Sequence, residues 1–112
     1  MSADKKSFTV ILDENATIVD YIDENSILGY NKDDVMGRNW FETFIANSDH
    51  DKVMKVFKGL FDGEEQEWES YNNDVTTKSG NHIFIDFKNK IFTDKSGNKM
   101  IRSVGIEHFL NG

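Results

Sequence analysis

The sequence predicts an α+β domain, a five-stranded antiparallel sheet with short helices and one longer helix packed on one face. Three observations predict it. Strand-like segments of alternating or β-branched apolar residues occupy both ends of the chain. One amphipathic helical stripe lies between them. Two copies of Lys-Ser-Gly-Asn, at 78–81 and 95–98, punctuate the C-terminal half. The implied order is ββααααβββ: two strands, a helical crossover and a three-stranded meander.

Phe8, Val10 and Leu12 alternate with Thr9, Ile11 and Asp13, the period of a strand with one face better buried. Asp13 to Ala16 is a polar break, after which Thr17 to Ile22 reads as the return strand of a hairpin. From Asp23 to Ile45 the pattern is of helical pieces no longer than two turns, punctuated by Gly29 and Gly37 and capped by Asp23 and Asn31. The long helix is expected over Asp49 to Leu60, where Val53, Val56, Phe57 and Leu60 recur at i, i+3, i+4 and i+7 and Lys52, Lys55 and Lys58 take the other side. Ser48 or Asp49 caps it and Gly63 ends it. Strands are then expected over Glu67–Lys78, His82–Thr93 and Lys99–Phe109, joined by hairpin turns in which Gly80 and Gly97 supply positive φ.

Composition limits the chemistry. A chain of 112 residues with 38% apolar residues, nine Phe and two Trp can fill one core. Thirteen basic against twenty acidic residues give a net charge of −7, which opposes association with nucleic acid or an anionic membrane. The absence of cysteine excludes disulfides, thiolate metal sites and cysteinyl cofactor bonds. No apolar run approaches the roughly 20 residues that span a bilayer, and the stretch from Met1 to Lys6 is polar, so the chain is expected to be cytoplasmic. The carboxylate pairs Asp33-Asp34, Asp49-Asp51 and Glu64-Glu65 have no nucleophile, phosphate loop or His-Glu metal motif beside them, and no enzyme is expected.

The stretch from Ile11 through Asp13-Glu14-Asn15-Ala16 to Asp23, followed by Leu28-Gly29-Tyr30 and Asp33-Asp34-Val35-Met36-Gly37-Arg38, resembles the opening half of a PAS domain. Lys78-Ser79-Gly80 sits where PAS domains carry a Lys-Asp-Gly hairpin, and Val104-Gly105-Ile106 resembles their last strand. The resemblance covers 8–109, with 1–7 as a tail or linker and 110–112 as a stub leading to an output domain. It implies the sensory input module of a larger signal-transduction protein, such as a histidine kinase of a two-component system or a diguanylate cyclase. It also implies a homodimer, and the apolar Phe8, Val10 and Ile11 near the N-terminus point the same way. The chain departs from the family at Asp23, where Asn is usual, at Asn47-Ser48-Asp49, where a Pro is usual, and at Glu107-His108-Phe109, where Asp-Ile-Thr is usual.

The same resemblance bears on cofactors. Gly37-Arg38-Asn39 matches the start of the flavin photoreceptor motif, but Trp40 stands where the flavin-bonding Cys belongs, so no covalent flavin adduct is expected. Val53 occupies the position of the helix-borne haem ligand and His50 lies one turn too early, as an exposed first-turn residue, so haem is not expected. His82 and His108 are isolated on strands and no metal site is read.

A PAS-like fold encloses a pocket between helices and sheet. Strand alternation places Ile85, Phe87, Asn89 and Ile91 on one face, Tyr71, Asn73 and Val75 on the matching face of the preceding strand, and Gly105 and Glu107 on that of the last strand. Trp40, Phe44, Val53 and Phe57 bound the space from the helical side. The polar Asn89, Glu107, Tyr71 and Asn73 stand where an empty core would be aliphatic. With Glu107 inside, the ligand is expected to be small, polar, rich in hydrogen-bond donors and not anionic. A ligand sensor and a ligand-free interaction module that dimerises and relays strain remain open alternatives. They differ in whether the pocket is filled by a ligand or by its own side chains.

Overall fold

The structure of the protein, a computed structural model, describes residues 6–107, and at residues 65 and 66 the backbone alone. The stub at 110–112, most of the tail at 1–7, and His108 and Phe109 fall outside the described residues. The alternation at the N-terminus becomes strand β1 (Ser7–Leu12), with Phe8, Val10 and Leu12 buried and Thr9 and Ile11 half-buried on the other face. Asp13 closes the following turn: its Oδ1 accepts from the backbone N–H of Asn15 and Thr17, both at 2.9 Å. Strand β2 (Ile18–Ile22) returns antiparallel to β1.

The crossover begins differently from the expectation. No helix follows Asp23: residues 24–31 form turns and bends, and Ser26 takes a left-handed φ of 52° that a helix cannot continue through. Asp23 still acts as a cap, for a loop. Its carboxylate accepts from Ile27 N at 2.9 Å, Leu28 N at 2.8 Å and the Tyr21 hydroxyl at 3.2 Å. Helix α1 (Lys32–Val35) starts after Asn31 as the sequence implies, and α2 (Trp40–Phe44) is capped by Asn39, whose Oδ1 accepts from Glu42 N at 3.1 Å. Asp49 precedes α3 (His50–Phe61) through a 3-10 turn (Asn47–Asp49), without a side-chain cap bond. Val53, Val56, Phe57 and Leu60 form the buried stripe of α3, and Lys52, Lys55 and Lys58 are exposed.

A fourth helix, α4 (Glu65–Trp68), replaces the start of the strand expected from Glu67, and β3 runs only from Ser70 to Thr76. The reason is tertiary. Glu64 N bonds Gly59 O at 2.8 Å, folding the chain back over α3, and the Trp68 indole then lies against the bare Cα of Gly59. A Cβ at Gly59 would come within 2.5 Å of Trp68 Nε1, so this approach requires glycine there.

Strands β4 (His82–Thr93) and β5 (Lys99–Glu107) complete a sheet of order β2-β1-β5-β4-β3, antiparallel throughout. Both Lys-Ser-Gly-Asn copies are hairpin turns, with φ of 91° at Gly80 and 86° at Gly97. Strand β1 is therefore interior to the sheet, and Phe8 and Val10 belong to the core rather than to a dimer face; of the three apolar residues near the N-terminus only Ile11 points away from the core. No helix among the described residues is long and apolar enough to cross a membrane.

Candidate functional site

The segment after the first hairpin sets the helical wall of the site. Trp40 N donates to Ala16 O at 2.9 Å, Ile18 N to Arg38 O at 2.9 Å, and Gly37 N to Ile18 O at 2.9 Å. These bonds tie α2 to the turn between β1 and β2 and direct Trp40 inward. Trp40 packs on Phe44 at 4.6 Å between ring centroids and edge-on against Phe87 at 6.1 Å. The indole thus fills core volume beneath the sheet.

Helix α3 supplies the opposite side. His50, expected to be exposed, is half-buried instead: its Nε2 lies 3.1 Å from Phe41 O and 2.9 Å from Ile45 O, so it donates to the carbonyls that end α2. Phe41 O already accepts from Ile45 N at 3.1 Å, and the ring adds a second donor there while supplying Ile45 O, beyond the last turn of α2, with a partner. Val53 is buried on the inward stripe. Among the described residues no group of three or more His, Cys, Asp or Glu side chains is placed to hold a metal.

Between α2, α3 and the inner sheet face lies a cavity of about 40 Å³. One water needs roughly 10–15 Å³ of such space, so the cavity holds a few waters or a molecule of very few atoms without rearrangement. Of the residues expected to line it, Trp40, Val53, Phe57, Tyr71, Asn73, Phe87 and Asn89 do. Three do not. Phe44 lies behind Trp40, and Ile85 is fully buried in the core. Glu107 shares the inner face but is half-buried at the end of β5, paired with Ile85. Phe8 sits opposite Gly105, one inward position before Glu107, and its ring occupies the space a side chain at 105 would need. With that ring over residue 105, between Ser103 of the lining and Glu107, the carboxylate does not line the cavity and gives no support to a donor-rich ligand there.

The sequence reading missed Leu12, Phe41, Val56, Leu60, Ile101 and Ser103, which also line the cavity. Most carried a signal: Val56 and Leu60 lie on the α3 stripe, and Ile101 and Ser103 follow by period two from Gly105. Phe41 had none, because its direction depends on how α2 is tied to the first turn.

Ser103 is the consequential omission. Its hydroxyl donates to Asn89 Oδ1 at 2.7 Å, and Asn89 Nδ2 donates to Trp68 O at 3.0 Å. Asn89 N also donates to Glu69 O at 2.7 Å. Asn73 Nδ2 donates to Asp74 O at 2.9 Å. Asn73, Asn89 and Ser103 are all buried and all line the cavity: Asn89 and Ser103 face each other across β4 and β5, and Asn73 stands apart from them on β3, opposite Ile85. Away from the cavity, burial and then the adjacent Asp23 carboxylate raise the Tyr21 phenol above its ordinary value of 10.0.

No family model matches the sequence, and no curated protein matches it. Solved structures do. The PAS domain of the Cronobacter turicensis RpfR quorum-sensing receptor, in complex with C12:0, superposes with a TM-score of 0.72 at 20% identity, over 97% of this chain and 100% of that one. The same domain is also known in complex with BDSF. Drosophila melanogaster Cycle PAS-B with bound ethylene glycol gives 0.72 at 14% identity, over 90% and 99% of the two chains. The PAS domain of an HTR-like protein from Haloarcula marismortui gives 0.70 at 16% identity, over 91% and 81%.

Proposed function

The chain has a PAS fold, and from that premise we propose that it is a non-catalytic sensory domain that binds a small polar molecule in the cavity between the helices and the sheet. One observation carries this reading: a buried, hydrogen-bonded Asn89–Ser103 pair, with Asn73 apart from it on β3, puts polar side chains on the wall of a cavity whose other walls are aromatic and aliphatic. Protein partners satisfy one donor on each of these side chains, and the remaining lone pairs of Ser103 and Asn73 are free to orient a guest in the cavity. Apolar walls that give shape and a few polar groups that orient are the usual composition of a small-molecule site. The ethylene glycol bound to Cycle PAS-B is of the size this cavity suits. In this reading the domain works in the cytoplasm as a homodimer. It informs an attached output domain such as a histidine kinase of a two-component system or a diguanylate cyclase.

The small cavity also supports a second reading, a ligand-free interaction and dimerisation module whose core is nearly filled by its own side chains. Titration of methyl-labelled protein with ethylene glycol and acetone separates the two. Ligand binding predicts saturable shifts of the Val53 and Val56 methyls. It also predicts loss of the Val56 shifts in Val53→Ile, which adds one methyl group to the cavity while leaving stability unchanged or raised. If the methyls of the natural protein show no saturable response, and native mass spectrometry of fresh protein finds no bound molecule, the interaction module is the correct reading.

A further inference from the structure

Asn89 belongs both to the cavity wall and to the junction between α4 and β3. Its amide and its own backbone N–H hold the carbonyls of Trp68 and Glu69, the last groups of α4 before β3 begins at Ser70. Beyond these two bonds the Trp68 side chain is held by packing. The indole lies on Gly59 and edge-on to Tyr71 at 5.9 Å, and its Nε1 has no hydrogen-bond partner among the described residues. Tyr71 itself lines the cavity.

The hydrogen bonds run in one direction. Ser103 O–H donates to Asn89 Oδ1, and Asn89 Nδ2–H donates to Trp68 O. A ligand that only donates can add to the lone pairs of Ser103, which polarises the chain and tightens it. A ligand with an acceptor takes the Ser103 proton instead. Asn89 Oδ1 then loses its donor, and the amide regains one by turning over so that Nδ2 donates to Ser103. That turn places Oδ1 against Trp68 O, two acceptors facing each other, and one of the two bonds holding the end of α4 is lost.

Resting on the sensory reading above, we propose that Asn89 is the residue that reads the cavity and relays its state to the α4–β3 junction. The ligand class that triggers it is a small neutral molecule presenting a hydrogen-bond acceptor. The output is a loosening of the Trp68–Glu69 segment on β4, which keeps the Asn89 N–H to Glu69 O bond, at the surface of the domain rather than in its core. Asn89 acts here as a positioning residue for α4.

The test is hydrogen exchange by NMR at the Trp68 indole and the Asn89 backbone amide, with Val53 and Val56 methyl shifts recorded in the same samples. Acetone serves as the acceptor probe and xenon as an apolar one. Both should shift the methyls, and acetone alone should speed exchange at Trp68 and Asn89, by about five- to tenfold, as for one lost hydrogen bond. In Asn89→Leu and in Ser103→Ala acetone should still shift the methyls without changing Trp68 exchange; the serine variant removes a single oxygen and covers the case in which the leucine variant does not fold. Equal acceleration by xenon, or an acetone response unchanged in Ser103→Ala, overturns the relay and leaves the ligand site standing. Absence of any saturable methyl shift overturns the sensory reading, and the relay with it.

Discussion

Replacing Gly105 by alanine tests the packing that separates Glu107 from the cavity. Gly105 pairs with Phe8 across β1 and β5, and a Cβ built on it overlaps the Phe8 ring, approaching Cε2 to 2.6 Å and Ile85 Cγ2 to 2.9 Å. Neither neighbour has room to yield. Phe8 is 1% exposed and locked edge-on to Phe87 at 5.9 Å, and Ile85 is 0% exposed. Overpacking a filled core costs about 1–3 kcal/mol, and two immobile neighbours place this case near the upper limit. Alanine returns about 0.5 kcal/mol by restricting the unfolded chain, which leaves a net loss of roughly 2–3 kcal/mol. At about 4 °C per kcal/mol for a chain of this size, the melting temperature should fall by about 10 °C. Urea denaturation gives the free energy directly, and calorimetry gives the midpoint. Phe8→Leu is the control. By opening space over residue 105 it should make the double variant more stable than the sum of the single effects, by about 1 kcal/mol or more. A Gly105→Ala protein within about 0.5 kcal/mol of the natural one, or additive single effects, would refute the account, because the ring would not then fill the space above residue 105.

Two further outcomes follow from particular side chains. Asp23→Ala removes the acceptor for Ile27 N, Leu28 N and the Tyr21 hydroxyl and should cost about 2 kcal/mol in urea denaturation, with Asp23→Asn, which keeps one carbonyl oxygen, losing less. Asp20 meets Lys32 at 2.8 Å, and the hydrogen bond from Lys32 holds its carboxyl below the ordinary 3.8. A lowered pKa stabilises the fold above the unfolded value and is lost as pH falls through the folded one. Lys32→Met should therefore cost under about 1 kcal/mol near neutrality, this being an exposed pair, and the difference should vanish on acidification below pH 3.8.

Much of this fold is legible in the sequence because its elements are encoded locally. The alternation in 8–12, the period of Val53, Val56, Phe57 and Leu60, and the glycines of the two Lys-Ser-Gly-Asn turns each define a structure over fewer than a dozen residues. Side-chain direction on the strands is equally local, and so Tyr71, Asn73, Phe87 and Asn89 were placed on the inner face.

Other features depend on residues distant in sequence. Glu67 and Trp68 have strand-like neighbours, yet they are helical because the chain folds back onto Gly59. His50 turns inward because the carbonyls ending α2 lie beside it. Glu107 has the right parity for the cavity, and the Phe8 ring from another strand shuts it out. Ser103 was equally visible by parity, but its role appears only when β4 brings Asn89 within 2.7 Å of it and α4 brings the Trp68 carbonyl within 3.0 Å of Asn89. Periodicity in the sequence determined which way the strand side chains and the apolar stripe of α3 face. Which of those side chains border empty space, and which donate to one another, was decided only by tertiary packing, because both depend on what arrives from the other side of the core.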